Sequence, residues 1–105
     1  MASEAEKRDA IRSLRGSIVR AIYRATKAET NATLAFLHRV CKPESVVSQA
    51  PVSDAMVYLT TSGLVERRES RIDAGDENPL VTFALTAKGI SLAERTIEDA
   101  NVNMD

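Results

Sequence analysis

The hydrophobic spacing of the chain changes period at Gly63 and changes back at Thr86. Outside these points apolar residues recur at intervals of three and four, the spacing that lines one side of a helix. Between them lie two short β-prone runs, "LVERRES" and "PLVTFAL", which bracket the polar, glycine-containing stretch "RIDAGDEN". Such a stretch suits the loop of a hairpin. The pattern constrains the fold to helices carrying one small hairpin, in the order helix, helix, helix, strand, strand, helix. That is an α+β fold, mainly α.

In "EAEKRDAIRSLRGSIVRAIYRATK", residues Ile11, Leu14, Ile18, Ile22 and Ala25 form the stripe of an amphipathic first helix. Arg8, Arg12 and Arg15 flank the stripe on one side, and Arg20, Arg24 and Lys27 line the other. Gly16 costs this helix ~1 kcal/mol of propensity against alanine, which a close helix contact would explain. A second helix is expected from about 31 to 41, capped by Thr30 or Asn31 and stopped by Pro43. Its Leu34, Leu37, Val40 and Cys41 are apolar neighbours.

The third helix is expected at about 49–62, with Ser48 as its cap and Pro51 in the first turn, where a missing N–H does no harm. Val52, Ala55, Met56 and Leu59 face inward, and Gly63 ends the helix in the left-handed conformation. The hairpin occupies about 64–85. Thr86 then caps a last helix carrying Ile90, Leu92, Ala93 and Ile97.

A chain of 105 residues with 44% hydrophobic content is read as one domain, 1–105, able to bury a modest core. Order is expected from about residue 6 to about residue 99, because the first few residues and "DANVNMD" are polar and loose in composition. No apolar run approaches the ~20 residues of a membrane span, and "MASEAEKRD" lacks the apolar centre of a signal peptide. A cytoplasmic protein without membrane partners is expected. The single cysteine, Cys41, has no disulfide partner in the chain and reads as a buried small hydrophobe. His38, the single histidine, reads as a helix-surface residue. No metal site, cofactor site or catalytic constellation can be assembled from this inventory, and no enzyme activity is expected.

The net charge of −1 hides an uneven distribution. Residues 1–42 hold nine basic and four acidic side chains, and the remainder five basic and eleven acidic. A basic front and an acidic back suit an anionic partner on one side only.

Three helices followed by a two-stranded hairpin is the arrangement of a winged helix-turn-helix. "VSDAMVYLTTSGLVERRE" resembles the recognition helix, glycine end and first wing strand of winged-helix regulators of the MarR, PadR and ArsR kinds. "FALTAKGISLAE" resembles their second wing strand and the Leu-Thr-x-x-Gly start of the helix that follows, through Leu85, Thr86 and Gly89. Together with "LRGSIVRAIYRA", these stretches are also similar to the very small winged-helix proteins of Mu-type transposable phages.

The resemblance implies a transcriptional regulator on double-stranded DNA, with the third helix in the major groove and the wing on the backbone. The candidate contacts are Gln49, Ser53, Asp54, Val57 and Thr61 on the helix and Arg67, Arg68 and Arg71 on the wing. Gln49 can pair with adenine, Asp54 can accept from a cytosine amino group, and Ser53 can meet base or phosphate.

The sequence departs from the family in charge. The outward face of the third helix, Ala50, Ser53, Asp54, Val57 and Thr61, carries no cation, and Asp73, Asp76 and Glu77 occupy the wing tip. Strand alternation sends Arg67 and Arg68 to opposite faces, where Glu66 and Glu69 are available to pair with them. The uncharged Val57, Ala50 and Thr61 on this face leave open an alternative, a winged-helix module that docks on another protein. A homodimer is expected for the DNA-binding role; the arginines of the first helix can touch flanking phosphates or meet Glu94, Glu98 and Asp99 of a second copy.

Overall fold

The computed structural model describes residues 3–41, 50–70 and 80–105. Its elements are α1 (Glu4–Lys27), α2 (Leu34–Cys41), α3 (Ala50–Thr61), β1 (Val65–Ser70), β2 (Leu80–Leu85) and α4 (Ala87–Ala93). The chain is therefore mainly helical with one two-stranded sheet, and β1 pairs antiparallel with β2 from Val65 opposite Leu85 to Ser70 opposite Leu80. The expected positions of Pro43, Ser48 and the loop acids Asp73, Asp76 and Glu77 lie outside the described residues.

α1 is the spine. The Ser3 hydroxyl accepts the Glu6 N–H to cap its start, and Leu14, Ile18, Val19, Ile22 and Ala25 are buried along it. Around them close Leu37 of α2, Val52 and Leu59 of α3, Leu64 and Leu92, all essentially without solvent contact. Ile11 lies past the end of this core and remains 48% exposed, so the stripe is shorter than its sequence spacing suggests. On α2 only Leu37 and Cys41 are buried, while Leu34 and Val40 face outward. His38 is half-buried.

Two expectations about helix starts and ends change. α2 begins at Leu34, with the Thr33 hydroxyl accepting the Phe36 N–H, and neither Thr30 nor Asn31 is the cap. The connection is used otherwise: Ala32 is buried, and its carbonyl accepts the Phe83 N–H on the open edge of β2 at 2.8 Å. At the other end α4 stops at Ala93, short of Ile97, because Arg95 turns left-handed at φ 61°. The same closing motif recurs at three helix ends. The N–H of Thr30, Leu64 and Thr96 reaches back to the carbonyl of Ala25, Leu59 and Ser91, around a left-handed Glu29, Gly63 and Arg95 respectively. Only one of these three positions is a glycine.

The Leu85-Thr86-x-x-Gly89 stretch acts as a clasp. Thr86 Oγ1 donates to the Gly63 carbonyl at 2.6 Å and accepts the Gly89 N–H at 3.1 Å, so one hydroxyl caps α4 and ties it to the turn after α3. The Thr86 N–H adds a bond to the Leu64 carbonyl. A Cβ on Gly89 would stand 2.0 Å from that same carbonyl oxygen, so only glycine lets α4 sit this close.

The last residues are part of the core, contrary to the expectation of a loose end beyond about residue 99. Val102 and Met104 are buried, and the Asn103 N–H donates to the Arg12 carbonyl of α1. Arginines hold the segment by its main chain: Arg15 donates to the Asn101 carbonyl, and Arg20 and Arg95 both donate to that of Met104. Gly16 is explained here. A Cβ on it would lie 1.8 Å from the Asn103 carbonyl oxygen, so the close neighbour is the C-terminal segment and not another helix.

Candidate functional site

α3 packs its Val52, Ala55, Met56 and Leu59 side against the core, which leaves the opposite side open. Helical spacing sets Asp54, Val57 and Thr61 in one outward row, and all three are exposed. Val57 stands at its centre, 63% exposed. Ser53 lies half-buried on one flank. Thr60 on the same flank turns its hydroxyl back to the Met56 carbonyl at 2.8 Å. Gln49 and Arg71 lie outside the described residues.

The other flank of α3 is tied down. Tyr58 lies under the Arg15 guanidinium, 3.8 Å from its ring centroid, and donates its hydroxyl to the Asp99 carboxylate at 3.1 Å. α1, α3 and the C-terminal segment therefore meet at one side chain, which fixes the outward row relative to the spine. Sequence reasoning passed over this junction. Its signals were Gly16 inside a helix and the alternating Val102 and Met104 in a polar tail.

The hairpin leaves α3 through Gly63 and Leu64. Arg67 and Arg68 are exposed on opposite faces of β1, as strand alternation requires. Each is matched by a carboxylate two residues away on its own face: Arg67 with Glu69 and Arg68 with Glu66. Exposed pairs of this kind contribute about 0–1 kcal/mol. They neutralise the cations locally and yield readily to a stronger anion.

Glu94 and Asp99 have partners within the chain, accepting from the Tyr23 and Tyr58 hydroxyls. Arg12, Arg15 and Arg20 are likewise engaged, Arg12 with Asp9 and the other two with the C-terminal carbonyls. Among the described residues no group of three or more His, Cys, Asp or Glu is placed to hold a metal ion, and no helix is long and apolar enough to cross a membrane.

The assembled surface is a helical ridge without a cation beside a hairpin whose described cations are paired. Chemically it can donate and accept hydrogen bonds through Ser53, Asp54 and Thr61, bury Val57 against an apolar group, and release Arg67 and Arg68 to phosphate. No family model, curated protein or solved structure matches the chain.

Proposed function

We propose that the chain is a winged helix-turn-helix protein of the cytoplasm that binds double-stranded DNA and regulates transcription. α3 enters the major groove and the β1–β2 wing follows the backbone. The observation that carries this role is the open outward row of α3, braced from behind by α1 and flanked by a hairpin with two surface arginines. At 12 residues α3 is about 18 Å long, and its width suits a groove about 12 Å across. Ser53, Asp54 and Thr61 then meet base edges, Val57 meets a thymine methyl, and Arg67 or Arg68 exchanges its carboxylate for a phosphate. Neither catalysis nor a cofactor has a part in this role.

Selection of bound duplexes from a randomised pool tests it. An enriched motif is expected, and Ser53→Ala or Asp54→Ala relaxes preference at one of its positions while leaving the others unchanged. A pool that stays random through repeated rounds contradicts sequence reading by α3.

One observation favours a second role, a module that binds protein instead of DNA. Val57 is the most exposed large apolar side chain among the described residues, on a helix without a cation, beside arginines already paired. An exposed apolar anchor in a surround poor in cations is compatible with a protein interface. In that case Val57→Asp abolishes complex formation and leaves the melting temperature within a degree or so of the parent; an unchanged complex removes the second role.

A further inference from the structure

A groove of about 300 Å³ opens between α1 and α2, lined by Ala21, Arg24, Ala25, Ala28, Thr30, Phe36 and Val40. Its walls are mainly apolar, Val40 on its margin is 51% exposed, and no acidic side chain lines it. Arg24 is the cation that lines it, and Arg39 rests over the ring of its lining residue Phe36. Neither arginine has an ion-pair partner among the described residues.

The opposite end of α1 is complementary. Residues 4 to 11 are exposed on every side, so the helix stands clear of its own core there, with Ile11 uncovered. Glu6 and Ala10 precede Arg24 and Ala28 by 18 residues each, about five full turns, and so share one side of the helix. Ser17 and Ala21 fall between them on that side. Glu6, like Arg24, lacks an ion-pair partner among the described residues.

We propose that this side of α1, with the groove beside it, is the interface of an antiparallel two-fold dimer. The first turns of α1 of one copy lie in the α1–α2 groove of the other, and Glu6 of each copy meets Arg24 of the second. A two-fold axis makes every such contact twice, and reversing one helix brings an acidic first turn to a basic last turn. Ala10, Ser17 and Ala21 are small enough to let the two helix axes approach closely. Pairing Glu6 with Arg24 sets Asp9 level with Ala21 and Ala10 at the near end of the groove. The dimer stands whether or not α3 meets DNA.

Sedimentation equilibrium of the full chain, without DNA, over a wide concentration range tests this. A reversible dimer is expected, with Glu6→Arg and Arg24→Glu each weakening it by about tenfold or more, since two attractive pairs become repulsive. The combined Glu6→Arg, Arg24→Glu chain recovers the parental dissociation constant. Both side chains are exposed, so the melting temperature of the monomer is a control for folding. A chain that stays monomeric throughout overturns the proposal. So does a dimer indifferent to both single changes, or a combined variant as weak as either.

Discussion

Three residues carry more of the fold than their size suggests, and each can be checked singly. At Gly16 the helix gives up ~1 kcal/mol of propensity so that the Asn103 carbonyl can lie against it. Gly16→Ala is expected to destabilise the chain by roughly 1–3 kcal/mol in denaturant unfolding, because the overlap outweighs the propensity gain. The sign reverses in a chain lacking residues 99–105, where the overlap with Asn103 and Met104 is gone and alanine stabilises by ~1 kcal/mol. Glu29 is the converse case, an exposed side chain in the left-handed region at φ 56°. Glu29→Gly is expected to stabilise by about 0.5–1 kcal/mol, less than the full left-handed strain because glycine loses more entropy on folding. Cys41 reports on the core through pH: burial pushes its thiol up, with the Arg20 charge opposing. Below the unfolded thiol's value, ~8.5, both states keep the proton. As pH rises past it the unfolded chain ionises first, so stability is lost toward the raised folded value. Unfolding free energies from about pH 7 to about pH 10 are expected to fall for the parent and to stay flatter for Cys41→Ala.

Among the elements, those with a strong period or a distinctive cap were legible in advance: α1, the hairpin, the Gly63 stop and the Thr86 cap. What the sequence concealed was tertiary. The α2 cap moved to Thr33 because the strand edge claimed Ala32, a pairing with a residue some fifty positions away that no local pattern encodes. The C-terminal segment read as loose because two apolar residues among polar ones make too short a signal. Their burial is worth roughly 1.5–3 kcal/mol each before the cost of ordering the segment. Deleting residues 99–105 is expected to lower stability by about 2–4 kcal/mol and to free Tyr58 and α3 on that flank. Of the candidate site, the exposed row Asp54, Val57 and Thr61 and the opposed arginines were legible from spacing alone. The arginine pairing was anticipated only as an alternative, since alternation sets the face of a side chain and not its partner. On β1 the pairing predicts its own reversal: Glu66→Gln with Glu69→Gln frees two cations. DNA affinity then rises, and the salt slope steepens by up to about 0.9 per phosphate gained.

At the scale of the molecule the charge has been sorted. Of the described cations of α1, Arg15 and Arg20 hold the C-terminal segment, Arg15 and Lys27 stack on tyrosines, Arg12 pairs with Asp9, Arg24 lines the α1–α2 groove, and Lys7 and Arg8 stand exposed on the free first turns; α3 has none. A DNA-binding role therefore depends on a small set of side chains at the hairpin, with direct contacts from α3 supplying the rest. Affinity for duplex DNA rests largely on Lys and Arg displacing counterions. The most direct measurement is fluorescence anisotropy of the full chain with a labelled random duplex, at low and at moderate salt, beside Arg67→Ala with Arg68→Ala. The account predicts salt-sensitive binding in the micromolar range or tighter, weakened and flattened in slope by the double substitution. No binding at low salt, with the chain folded, would contradict it and leave the exposed Val57 row as a surface for another protein.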